Sequence, residues 1–152
     1  MKTTLAATLT LLATLSAARA ESWTTYRIAE SRTSVDVPVS VFTELAGKPD
    51  GHGQQFRTAD GRADLTVQAV SNRQGLSPAE FLARKDPPSG IIYQRITPRF
   101  FVVSSIKRDK IWYNRCNFSR GYVHCVLINY PAREKRRWDR VVTRISHSLS
   151  AD

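Results

Sequence analysis

Residues 63–69 read Ala-Asp-Leu-Thr-Val-Gln-Ala, and no other segment restricts the fold more. Ala63, Leu65, Val67 and Ala69 fall on one side of an extended chain, and Asp64, Thr66 and Gln68 on the other. A period of two with this polarity describes a strand with one buried face and one wet face. Asp60-Gly61 stands just before it, a pair suited to the positive φ angles of a tight hairpin turn. Residues 54–70 are therefore expected to form a hairpin. A half-buried sheet needs a second layer to cover it, and the far end of the chain supplies one. Trp138, Val141, Val142, Ile145 and Leu149 recur at helical spacing within residues 132–149 and make one apolar stripe. Arg133, Arg136, Arg137, Arg140 and Arg144 fall near the opposite side, at about 100° per residue.

The remaining punctuation fits this plan. Residues 23–30 read as a short first strand, and residues 34–42 place Val35, Val37, Val39 and Val41 on one face. Pro38 removes a backbone donor there, so the segment is an edge strand or a strand leading into a loop. Three glycines and a proline mark residues 46–53 as a loop. Residues 76–86 are expected to form a short helix, with Ser77 as N-cap, Pro78 in the first turn and Glu80 closing a capping box. Pro87-Pro88-Ser89-Gly90 ends it. Strands are expected at 91–97, 100–107, 110–117 and 122–130, with Arg108-Asp109 as a tight turn and Pro131 as a stop. The sum is an α+β domain: a mostly antiparallel sheet packed by a short helix and a long C-terminal amphipathic helix.

Residues 1–20, MKTTLAATLTLLATLSAARA, have the three parts of a secretory signal peptide: Lys2, an apolar run over 5–15, and the small-x-small site Ala18-Arg19-Ala20. The run is too short and too rich in Thr to span a bilayer comfortably. A short N-terminal anchor is the rival reading. Glu21 follows, not Cys, so lipid attachment is not expected. Residues 21–152 are then one exported domain, periplasmic or secreted. Loss of Lys2 and Arg19 lowers the formal charge from +10 to +8. Such a surface favours anionic partners, either envelope lipid or cell-wall polymer. A periplasmic protein is another candidate partner. Nucleic acid is disfavoured, because an exported protein meets little of it and the arginine face lacks the aromatic residues of single-strand binders. The five arginines are the candidate anion-binding residues, and the competing reading is an ordinary solvated helix face.

Cys116 and Cys125 lie in RCNFSRGYVHC, on consecutive strands. Setting one opposite the other pairs Phe118 with Val123 and Asn114 with Leu127, and centres a turn on Arg120-Gly121. Two-residue and four-residue loops both fit. Opposed Cβ atoms in an antiparallel pair lie about 4.5–5.5 Å apart, close to what a disulfide needs. An oxidising compartment and an even cysteine count agree. A redox site wants C-x-x-C at a helix start. Zinc wants about four ligands, and His124 points to the other face of the strand from Cys125. The staple reading is preferred over both.

The sequence holds no nucleophile elbow, zincin helix, Walker loop or dinucleotide fingerprint. His52, His124 and His147 are dispersed and read as structural or surface residues. No catalytic residue, metal site or cofactor is expected. Two rival functions stand beside a binding role. One is a small periplasmic enzyme built on loops, for instance around Asp50 and His52. The other is an interaction protein that assembles through sheet edges.

The order of elements, together with certain residues, carries a family resemblance. These residues are Trp23 and Tyr26, VDVP at 35–38, DGHGQQF at 50–56 and DGRADLTV at 60–67, followed by YNRCNFS at 113–119, NYP at 129–131, and Trp138 with RIS at 144–146. The chain resembles small secreted bacterial proteins of unknown function, themselves distantly similar to the PsbP-like α/β/α sandwich. That resemblance covers residues 23–149 and implies a non-enzymatic accessory or binding role. It transfers no site residues.

Overall fold

The computed structural model describes residues 20–85, 89–119 and 121–151. The signal peptide assigned to residues 1–20 lies outside the described residues except for Ala20, as do Pro87 and Pro88 of the helix-ending segment and Arg120 of the cysteine turn. No helix among the described residues is long and apolar enough to cross a membrane.

The strands are β1 (Trp23–Ile28), β2 (Thr33–Pro38), β3 (Glu44–Gly47), β4 (His52–Arg57), β5 (Asp64–Ser71), β6 (Ile91–Ile96), β7 (Phe100–Lys107), β8 (Lys110–Ser119), β9 (Tyr122–Pro131) and β10 (Ser150–Ala151). The helices are α1 (Pro78–Arg84) and α2 (Lys135–Ser148), the latter entered through a 3-10 turn, Ala132–Glu134. Seven strands form one sheet in the order β3-β4-β5-β9-β8-β7-β6, and β1-β2-β10 form a second. All pairings are antiparallel.

The period-two strands behave as their pattern dictates. Leu65, Val67 and Ala69 of β5 are fully buried beside Val126 and Ile128 of β9. Against this face pack Val35 and Val37 of β2 and the α2 stripe of Trp138, Val141, Val142, Ile145 and Leu149. Trp138 stacks on Tyr130 with ring centroids 5.5 Å apart. The opposite face carries Phe101, Val103, Cys116, Val123 and Cys125, covered in part by Leu82 and Phe81 of the short α1. The layers are thus α2 with the small sheet, the seven-stranded sheet, and α1.

Three expectations need correction. The 54–70 hairpin forms, but its connection is longer than a two-residue turn, because Arg57 pairs with Asp64. Gly61 alone takes the left-handed conformation (φ 67°), while Asp60 instead caps the loop with its side chain. The Asp60 carboxylate accepts from Thr58 Oγ1 at 2.7 Å, Arg62 Nε at 2.7 Å and Arg62 N at 3.1 Å, which holds it well below the usual carboxylate range. Residues 46–53 are not all loop, since β3 and β4 enter from both sides and leave 48–51 as the connection. The sheet is also not single. β2 is the middle strand of the small sheet, not an edge, but it does lead into a turn: Pro38 ends it, the proline carbonyl accepting from Val41 N and Phe42 N at 2.9 Å, so Val39 leaves the face of Val35 and Val37 and is exposed.

His124 joins the layers. Its Nδ1 lies 2.7 Å from Thr33 Oγ1 of β2, which shares a 2.6 Å hydrogen bond with Ser31 Oγ. Its Nε2 lies 3.1 Å from Ser119 Oγ. Complete burial pushes its pKa down, against the opposing pull of the Ser119 carbonyl. Of the two readings open to His124 from sequence, structural or surface, its burial selects the structural one.

Candidate anion-binding site

The site begins with the β7–β8 turn. Arg108 and Asp109 both take positive φ, 51° and 60°, and so close a two-residue turn between the paired Lys107 and Lys110. Left-handed backbone costs a non-glycine residue about 1–2 kcal/mol. Here it is held by a tertiary contact, because Asp109 O accepts from Ala132 N at 2.8 Å. Register places Lys110 opposite Pro131, so the hairpin tip abuts the corner where β9 becomes α2.

Arg108, Lys110 and Arg133 consequently converge on one cleft of about 590 Å³, with Arg62 entering from the β4–β5 loop. Arg62 is already engaged, donating to Asp60 Oδ2 at 2.7 Å and to Glu134 Oε1 at 2.6 Å. Arg108, Lys110 and Arg133 have no carboxylate within ion-pair distance among the described residues. Asp109 is the one acid in the lining. Cations held close together without counter-charge raise the local potential for an anion, and arginine adds bidentate geometry for phosphate or carboxylate oxygens.

The helix arginines divide. Arg144 is committed to the fold, 3.4 Å from Asp36 Oδ2 and stacked over the Trp23 ring at 4.0 Å. Arg137 lies 4.0 Å from Glu134. Arg136 and Arg140 are exposed and, among the described residues, have no ion-pair partner. The candidate row is therefore open at its N-terminal end, where Arg133 meets the hairpin tip. Arg62, Arg108 and Lys110 were missed from sequence. The density of bases in Lys107-Arg108-Asp109-Lys110 was the available signal.

The other candidates do not assemble. His52 is exposed near Glu30, at 3.9 Å, His147 is exposed on α2, and His124 is buried. Asp50 is exposed and, like His52, lines none of the clefts described. Among the described residues no group of three His, Cys, Asp or Glu side chains could hold a metal ion. Cys116 and Cys125 form the disulfide, with Cα atoms 4.2 Å apart in the register read from sequence.

This architecture is that of a three-layer α/β/α sandwich. More particularly, the fold is PsbP-like. The chain is similar to the solution structure of the cyanobacterial PsbP protein CyanoP from Synechocystis sp. PCC 6803, with a TM-score of 0.64 at 9% identity, covering 93% of this chain and 99% of that one. It is also similar to the Saccharomyces cerevisiae Ran-binding protein Mog1p, with a TM-score of 0.54 at 9% identity, covering 87% of this chain and 96% of that one. No family model and no curated protein sequence matches the chain.

Proposed function

We propose that this protein is a non-catalytic accessory module, exported to the periplasm or beyond, that binds an anionic component of the cell envelope. The observation that carries the reading is the convergence of Arg108, Lys110 and Arg133 on one cleft without a matching set of carboxylates. The signal-peptide pattern, the disulfide and the net charge support the compartment and the partner's sign. The yeast structure named above is that of a Ran-binding protein, a binding role on the same fold.

The test is partition of the protein onto vesicles containing phosphatidylglycerol. A basic residue near an anionic surface contributes roughly 1 kcal/mol. The R108A/K110A/R133A variant should therefore bind about 100-fold more weakly. Wild-type binding should fall as salt rises, and zwitterionic vesicles should retain neither protein. Equal binding by variant and wild type removes the cleft from the reading.

A second reading, self-assembly through a sheet edge, has its own observation. The edge strand β6 is exposed at every residue, with Ile92 52% and Tyr93 51% accessible. Its outer side pairs with no strand among the described residues, and such an edge is a template for strand addition. Sedimentation velocity would then show a concentration-dependent dimer that I92K/I96K abolishes. A wild-type monomer at every concentration sinks this reading.

A further inference from the structure

The face of the large sheet that α1 only partly covers holds a second cavity, of about 190 Å³, separate from the basic cleft. Its walls are Phe81 and Leu82 of α1 and Phe101, Val103 and Leu127 of the sheet, and the Cys116–Cys125 disulfide forms its floor. It exists because α1 is a seven-residue helix, too short to blanket β7, β8 and β9. For scale, a dry apolar cavity of about 150 Å³ admits benzene. This one is therefore sized for a single ring or a short aliphatic chain.

Its polar side chains are few: one lysine and two amides. Lys85 lines the cavity, its ammonium 5.3 Å from the Phe81 ring centroid and without a carboxylate in ion-pair distance among the described residues. Asn114 lies on the same sheet face, two residues from Cys116 on β8. Its Oδ1 is shut off from solvent and unpaired among the described residues, and the residue lines the cavity. Gln68 is the remaining polar lining residue, and among the described residues no acidic side chain lines the cavity. Apolar walls with a few convergent polar groups are the ordinary construction of a small-molecule site. A lysine ammonium with no acid beside it among the described lining residues favours a negative head.

We propose that this cavity binds a small anionic amphiphile, a carboxylate carried on one aromatic ring or a short alkyl chain, with the apolar body on the disulfide floor and the carboxylate at Lys85. The site lies apart from the basic cleft and does not depend on the role given to that cleft.

The experiment is a titration of the disulfide-intact protein with benzoate, benzyl alcohol and benzylamine, which share a body and differ in charge. It is followed by amide chemical shifts. Benzoate should shift amides of α1, β7, β8 and β9 with millimolar affinity, as its size allows, and bind at least tenfold more tightly than benzylamine. K85E should reverse that preference, and as an exposed helix-end substitution it leaves the core intact. L127W should fill the cavity and abolish both, with its folding checked by circular dichroism. R108A/K110A/R133A should leave benzoate binding unchanged, so failure of the cleft and failure of the cavity are told apart. Shifts scattered over the arginine surface, equal affinity for benzoate and benzylamine, or no saturable shift would each overturn the proposal.

Discussion

Replacing Gly53 by Ala is expected to cost about 4 kcal/mol, at the upper end of what single substitutions do. Gly53 sits within β4, directly opposite Gln68 of β5, with φ at 143°. A Cβ built there would lie 2.0 Å from the Val67 carbonyl oxygen and 2.9 Å from Gln68 Cα. Both are backbone atoms of a buried strand, so no side chain can rotate away. Relief requires β4 to lift off β5, which would also part Phe56 from Tyr26, an edge-to-face pair at 5.4 Å. Gly61 supplies the control. Its φ is 67°, but a Cβ there would meet only the flexible Arg57 Cδ, at 3.8 Å. Gly61→Ala should therefore cost only the left-handed strain, about 1–2 kcal/mol. Urea unfolding of the two variants measures the difference. Equal midpoints would mean that the collision at Gly53 is absorbed and that β4 is not pinned as described.

The contrast between these glycines also marks where sequence reasoning ran out. Three glycines close together read as a loop, because glycine relieves strain in loops more often than in strands. Here Gly53 instead permits a close approach of two paired backbones, a reason visible only once β5 is in place. The small sheet was hidden for a similar cause. Its third strand is the two residues Ser150–Ala151, pairing with Ser34 and Thr33 from the opposite end of the chain. No local period exists over two residues. Local period and pairing geometry speak unevenly: the alternation of Val35 and Val37 stops at Pro38, where β2 ends and Val39 is exposed, but elsewhere the structure follows them. This holds for the alternation of β5, for the α2 stripe, and for the register that sets Phe118 on Val123 and Asn114 on Leu127. The candidate site divides along the same line. Helical spacing put Arg133, Arg136, Arg137, Arg140 and Arg144 in one row. Spacing could not reveal that Asp36 and Trp23 engage Arg144, or that the Arg108 turn docks beside Arg133. Those are contacts between residues far apart in the chain, and only topology brings them together.

The C116A/C125A variant is expected to lose about 2.5–3 kcal/mol, the chain-entropy contribution of a loop of about ten residues. For a domain of this size that is roughly 10 °C in Tm. The loss should appear without a change of fold, since β8 and β9 are paired over their whole length from Lys110–Pro131 to Ser119–Tyr122. Alanine is the better replacement because both positions are buried, at 4% and 1% exposure, among Leu82, Phe101, Val103 and Val123. Serine would add a buried hydroxyl without an assured partner. The same burial separates a staple from a redox pair. A working dithiol must be reached by its substrate and needs a stabilised thiolate, whereas these sulfurs lie at the floor of a cavity too small to admit a protein partner. Non-reducing mass analysis should find no free thiol, and a protein-sized disulfide reductant should act on the native protein only slowly, at a rate that rises with denaturant. Wild-type stability in C116A/C125A, or rapid reduction of the native protein, would return Cys116 and Cys125 to the status of a reactive pair.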